Sequence, residues 1–165
     1  MVLARRPSGY PVPEDFRVEE TELPALQEGE TLVENLFISL DAGFRNWMDE
    51  DAGDEVLPAM PLDHPVMGLT VGRIKESRNP DLVVGQLVMA RLAWQAWSIS
   101  TAEDFLVPVD DLDGLPLSYH LGVLGDTGMS AYFGLKDIAK PKATDTVLIS
   151  AAGLSGSLQG RSREF

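Results

Sequence analysis

The chain contains no cysteine, which removes disulfides, thiolate nucleophiles and thiolate metal ligands at once. Histidine is nearly as scarce: His64 and His120 are the only two, far apart in sequence. Catalytic zinc needs about three protein ligands drawn from Cys, His and carboxylates, with one open position, so no metal site is expected. Basic residues are the third shortage, 13 against 26 acidic ones, giving a formal charge of -13. No basic stripe follows a phosphate backbone, which argues against a nucleic-acid partner, and the same charge disfavours an anionic membrane surface. No apolar run approaches the ~20 residues needed to cross a bilayer. The opening MVLARRPSGYP lacks the apolar segment of a secretory signal, and the expectation is a cytoplasmic protein with no membrane partner.

What is present is a turn-rich globular composition, 44% hydrophobic and 24% charged, with 15 glycines and 11 prolines. A chain of this size suits one domain, burying roughly 70% of its unfolded surface. Residues 1–30 carry Pro7, Pro11, Pro13 and Pro24 among charges and read as an extended arm without helix, with a short strand near 16–20. After the turn Gln27-Glu28-Gly29-Glu30, "TLVENLFISL" alternates as a strand with one wetter face and delivers Asp41 and Arg45 to its end. The acidic stretch 49–65 reads as a mobile loop. "VMGLTVGRIKES" resumes strand character, with Gly68 and Gly72 expected at bulges or sharp bends. "NPDLVVGQLVMARL", "AWSIS" and "EDFLVPV" supply further short strands, a spacing that suggests a partly open β-barrel. From Leu115, "LPLSYHLGVLG" and "GMSAYFGLKDI" take helical spacing, which predicts two short helices near 116–138 broken at "GDTG". "KPKATDTVLIS" then predicts a turn and a buried strand.

The order of these pieces resembles the zinc-independent medium-chain dehydrogenase/reductase superfamily, especially its prostaglandin and alkenal reductase branch. The resemblance runs from Leu3 to Ser150. "LFISLDAGFRNWM" is similar to the family's SLDPYMR segment, and "LGVLGDTGMSAYFGL" to its LG-x-x-G-M-P-G-L-T-A-Y-F-G-L stretch. "TVLISAAG" is similar to the T-V-x-V-S-A-A-x-G entry to a dinucleotide fold. The resemblance implies a mainly β fold with short helices, a GroES-like partly open β-barrel lacking a complete Rossmann domain. Residues 1–145 would be the barrel, 146–157 the first strand and glycine turn of an incomplete dinucleotide-binding domain, and 158–165 a disordered tail. The codons open to 158–165 include overlapping cloning sites, so a vector-encoded origin stands beside a native one.

Relatives of this branch reduce activated carbon-carbon double bonds with NADPH, a reaction that needs a hydride donor and stabilisation of the enolate oxygen. The resemblance places the barrel's wall of the cleft at residues 41–45 and 125–132. Its substrate-binding candidates are Gly43, Phe44, Thr127, Ser130 and Tyr132, and its catalytic candidates Asp126, Arg45 and Asp41. The family's P-Y-M-R reads Ala42-Gly43-Phe44-Arg45 here, so an aromatic hydroxyl is lost and space opens. M-P-G reads Asp126-Thr127-Gly128, which puts a carboxylate where the family has an apolar lip. Asp126 is either a solvated capping or turn carboxylate, or a general acid or base tuned by Arg45 or Asp41. Arg45 in turn either faces the substrate or pairs with Asp41 or another local acid.

The cofactor turn would involve Ala152, Gly153 and Gly156, in a glycine-rich segment one residue shorter than the family's and with no ribose selector following. NADPH is thus implied by the family but not expected to bind these 165 residues alone, and zinc is not expected. The resulting reading is the substrate-side domain of an NADPH-dependent reductase, acting on a small-molecule substrate. Two others stand beside it: a cofactor-independent lyase, isomerase or hydrolase on the bare barrel, and a non-catalytic binding or assembly module. Apolar residues Leu121, Leu124, Met129, Phe133 and Leu135 lead to the expectation of a homodimer.

Overall fold

Alternation of apolar and polar residues dictates the sheet. In a computed structural model that describes residues 1–52 and 58–149, β1 (Val2–Leu3) pairs antiparallel with β2 (Phe16–Arg17). β3 (Thr31–Ile38), β4 (Met67–Ser77), β5 (Leu87–Ala93), β6 (Trp97–Ser100) and β7 (Val107–Pro108) form a five-stranded antiparallel sheet in the order β6-β3-β4-β5-β7. The sheet does not close, so the fold is a mainly β, partial GroES-like domain. α1 (Gly43–Asn46) is a single turn and α2 (Asp126–Phe133) an eight-residue helix. The chain divides into two compact units, one from Met1 to Asp111 and a second beginning at Leu112. No helix among the described residues is long and apolar enough to cross a membrane.

β4 lies at the centre of the first unit's sheet, and its inward face is built from small residues. The register sets Gly72 opposite Val88, Thr70 opposite Ala90 and Gly68 opposite Leu92, while Val33 of β3 faces Ile74. Val33, Ile74, Val88, Ala90 and Leu92 form one buried apolar cluster, joined by Leu82 and Leu106. A second cluster, Leu3, Phe44, Met48, Met60 and Val66, lies under the N-terminal hairpin with Trp47 and Trp94 against it. A Cβ on Gly72 would collide with the Val33 side chain and stand 2.7 Å from the carbonyl oxygen of Glu34. The sheet's irregularities sit beside the glycines rather than on them. Lys75 is the extra residue of one bulge and Leu36 of the other, because Leu32 pairs Glu76 while Val33 pairs Ile74, and Asn35 pairs Gly72 while Phe37 pairs Val71.

The arm at residues 1–30 is less extended than its prolines suggest. Pro13–Asp15 make one 3-10 turn, and the buried Asp15 is its fastener. The Asp15 carboxylate accepts from the Val12 amide at 2.9 Å and from Arg5 Nε at 2.6 Å, while its carbonyl accepts from the Ala4 amide at 2.8 Å. The Val12 amide, then the Arg5 hydrogen bond and charge and the nearby Arg45 charge, hold its carboxyl below the ordinary value of 3.8 against the opposing effect of burial. The flanks of the expected mobile loop are also tied down: the Met60 amide donates to the Trp47 carbonyl at 2.7 Å, and Val2 bridges Pro65.

Gly72→Ala should cost about 1–3 kcal/mol in urea unfolding, because the intruding atoms include backbone that cannot swing away. Gly43→Ala, where a Cβ meets nothing within 4 Å, should change stability by less than about 0.5 kcal/mol. Equal effects would show that the close approach at Gly72 does not constrain the sheet. Because the folded-state carboxyl of Asp15 is depressed, its stabilisation is present above its ordinary value of 3.8 and is lost as pH falls through the lower folded value. Asp15→Asn should therefore flatten the acid limb of the pH–stability curve below about pH 4; an unchanged acid limb would contradict this.

Candidate functional site

The end of β3 sets the first part of the site. The Ser39 amide still bonds to the Leu69 carbonyl at 2.7 Å, and the chain then leaves the sheet. Ser39 Oγ donates to Asp41 Oδ2 at 2.5 Å, and the Asp41 carbonyl accepts from the Phe44 amide at 3.1 Å, turning the chain into α1. Asp41, Ala42 and Gly43 are exposed, and the space beyond Gly43 is open. Phe44 points the other way: only 5% exposed, it lies in the core cluster with its ring edge-on to Trp47 at 5.2 Å. It anchors the wall from behind rather than presenting a face to solvent.

Arg45 pairs with Asp49 rather than with Asp41. Its Nη1 meets Asp49 Oδ1 at 2.7 Å, while Nε donates to the Gly9 carbonyl at 2.9 Å and Nη2 to the Pro7 carbonyl at 3.1 Å. Arg6 of the arm answers in the opposite direction, donating through Nη1 to the Met48 carbonyl at 2.8 Å and the Met60 carbonyl at 2.6 Å. Two arginines thus lace the arm to the wall. A planar fork that donates in several directions suits this work better than a lysine ammonium does. Sequence reasoning passed over Arg6; its signal was a pair of adjacent arginines before a proline in a chain poor in bases.

The second unit begins at Leu112. A 3-10 segment, Leu117–Leu121, carries the buried His120 and leads through Gly122 to α2. The break expected at "GDTG" falls at its first glycine: residues 122–125 separate the 3-10 segment from α2. Asp126 and Thr127 form its first turn, and Gly125 is the N-cap. The glycines serve close packing: a Cβ on Gly128 would collide with the Val123 carbonyl. Asp126 is exposed in that turn, where a carboxylate complements the helix dipole, and its carbonyl accepts from Ser130 Oγ at 2.7 Å.

Tyr132 is half exposed, with its ring edge-on to Phe133 at 5.2 Å. Its hydroxyl accepts from Lys136 Nζ, which also lies 4.7 Å from the ring centroid, and that hydrogen bond raises the lysine's pKa. Lys136 escaped the sequence reading, although its i,i+4 spacing from Tyr132 in a helical run was visible. Of the apolar residues assigned to exposed surface, Leu124, Met129 and Phe133 are about half exposed, whereas Leu135 is buried.

Among the described residues no group of three or more His, Cys, Asp or Glu side chains is placed to hold a metal ion. His64 is exposed, with Nδ1 2.9 Å from the Leu62 carbonyl oxygen. The N-terminus of α2 is not built as a phosphate seat. The α2 N-terminus carries its own carboxylate, and its Gly128 amide is already committed to the Gly122 carbonyl at 3.1 Å, which leaves a poor seat for a phosphate. Thr146–Ile149 carry no strand pairing, and the expected cofactor residues Ala152, Gly153 and Gly156 lie outside the described residues.

The open, five-stranded antiparallel sheet is that of a partial GroES-like domain. The family described as the N-terminal domain of oxidoreductase matches residues 1–108, and the chain belongs to it, within the zinc-independent, alkenal reductase-like medium-chain dehydrogenases/reductases. It is 40% identical over 151 residues to the NADPH-dependent curcumin reductase of Escherichia coli (strain K12), a match covering 92% of this chain and 43% of that one. Prostaglandin reductase 1 of Oryctolagus cuniculus is 39% identical over 155 residues, covering 93% and 42% respectively. The crystal structure of CurA in complex with NADPH from Vibrio vulnificus superposes with a TM-score of 0.81 at 35% identity, over 96% of this chain and 46% of that one. The chain therefore spans less than half the length of these relatives.

If Arg45 laces the arm through a fork, Arg45→Lys should be nearly as damaging as Arg45→Met, each costing about 1–2 kcal/mol. Amide exchange at Gly9 and Tyr10 should accelerate in both variants. Full rescue by lysine would reduce the interaction to its charge alone.

Proposed function

We propose that this chain is the substrate-side domain of a cytoplasmic, NADPH-dependent reductase of activated carbon-carbon double bonds in enones, alkenals or quinones, and that these 165 residues do not transfer hydride by themselves. The observation that carries the reading is the 40% identity, across 92% of the chain, to a relative named as an NADPH-dependent reductase of which this chain spans 43%.

Candidate substrate-facing residues lie in each of the two units, taken separately. In the first, Asp41 and Gly43 present a polar, uncrowded turn, Phe44 anchors it to the core, and Arg45 is a positioning residue. In the second, Asp126, Thr127, Ser130 and Tyr132 share α2. The Tyr132 hydroxyl accepts from an ammonium and keeps its own hydrogen to donate, the property required to steady a developing enolate oxygen. The Asp126 carboxylate is the group of α2 able to exchange a proton with a substrate. The half-exposed Leu124, Met129 and Phe133 further support association into a homodimer.

A chimera in which residues 1–149 replace the corresponding segment of the Escherichia coli relative should oxidise NADPH in the presence of an alkenal or a quinone, and Tyr132→Phe should lower its kcat by about 10- to 100-fold. The chain alone should show no turnover. A folded chimera that binds NADPH but reduces nothing would overturn the assignment, and full turnover by the chain alone would overturn its second half.

A further inference from the structure

α2 runs directly into a six-residue π-helical segment, Gly134–Ala139, a turn wider than its own. The Lys140 amide closes this segment on the Leu135 carbonyl at 2.8 Å, five residues back. Wide turns of this kind are rare in helices and occur frequently at functional sites. Here the turn buries Leu135 and leaves Lys136 exposed against Tyr132.

Lys136 is held at two points. Its Nζ donates to the Tyr132 hydroxyl and lies 4.7 Å from the centroid of the same ring, within the range of a cation–π contact. No carboxylate among the described residues forms an ion pair with it, although the chain has 26 acidic residues. The hydrogen bond to Tyr132 and that residue's charge, and more weakly the charge of Asp137, raise the lysine's pKa above its ordinary 10.5 against desolvation, so the group is an ammonium through the neutral range. An ammonium without a carboxylate partner keeps its charge for whatever the phenol meets. The Tyr132 oxygen gives a lone pair to Lys136, and the hydroxyl's own hydrogen has no acceptor among the described residues.

We propose that Lys136 is a positioning residue for Tyr132: it fixes the phenol so that the hydroxyl donates to a substrate oxygen, and its charge offsets the negative charge that develops there. This role rests on the reading of Tyr132 as the donor to an enolate oxygen. A phenol that accepts a hydrogen bond from a cation is polarised and becomes the stronger donor. The gain grows as a carbonyl oxygen turns into an enolate oxygen, so Lys136 acts on kcat and leaves KM nearly unchanged.

The contact is read on the intact chain by carbon-13 NMR of the tyrosine Cζ atoms. Lys136→Met should move the Tyr132 signal, Lys136→Arg should move it less, and the signals of Tyr10 and Tyr119 should stay in place. Lys136 is exposed, and thermal unfolding of each variant checks that the fold is kept. In the chimera described above, Lys136→Met should lower kcat by about tenfold with KM within about twofold, and Lys136→Arg should restore most of the loss. Because Lys136 acts through Tyr132, adding Lys136→Met to Tyr132→Phe should cost little more than Tyr132→Phe alone. An unmoved Tyr132 signal, an unchanged kcat, or a full additional loss on top of Tyr132→Phe would each overturn the role of Lys136 while leaving an active chimera and the reductase assignment intact. A folded chimera without activity would overturn that assignment, and this role with it.

Discussion

At Gly72 the side chain of Val33 and the carbonyl of Glu34 occupy the space where any other residue would carry a Cβ, and the shape of the sheet follows from that intrusion. β3 can come that near to β4 only because β4 turns small residues inward, Gly68, Thr70 and Gly72. With the two strands pressed together, bulges at Leu36 and Lys75 absorb the mismatch and bend the sheet toward closure. Beyond the end of β3 the chain turns into α1. There Phe44 drops into the cluster of Leu3, Met48, Met60 and Val66. A local steric allowance thus places the turn at residues 41–45.

The arm shows how a chain with few cations spends them. Arg5 fastens Asp15, Arg17 bridges Glu19 and Asp63, and Arg6 and Arg45 reach carbonyls across the gap between arm and wall. Most of these acceptors are backbone oxygens or local acids, so the arginines act as crosslinks and not as an electrostatic surface. Arg91, exposed on β5, stands apart from this pattern and makes no ion pair among the described residues.

Much of the fold was legible because the sheet obeys period two. β3, β4, β5 and β6 fall where the alternating runs lie, and the Gln27–Glu30 turn is closed by the Glu30 amide on the Gln27 carbonyl at 3.1 Å. The failures have physical causes. "GDTG" marks the break only at Gly125, while Gly128 lies inside α2, small because a Cβ there would meet the Val123 carbonyl; a backbone contact of that kind leaves no trace in periodicity. Asp15 looked like one acid among many, and its burial depends on a partner ten residues away. Residues 41–45 and the residues of α2 are candidates that rest on resemblance. The direction of Phe44 and the bonds of Arg45 came only with tertiary structure, since sequence spacing does not say which side of a one-turn helix faces the core.

The crossed bonds of Arg6 and Arg45 also say something about time. They join residues 36 to 54 positions apart, between an arm and a turn that have little regular structure of their own. The arm and the turn carry less paired backbone than the strands beside them, and segments of that kind belong to the low-stability end of local opening.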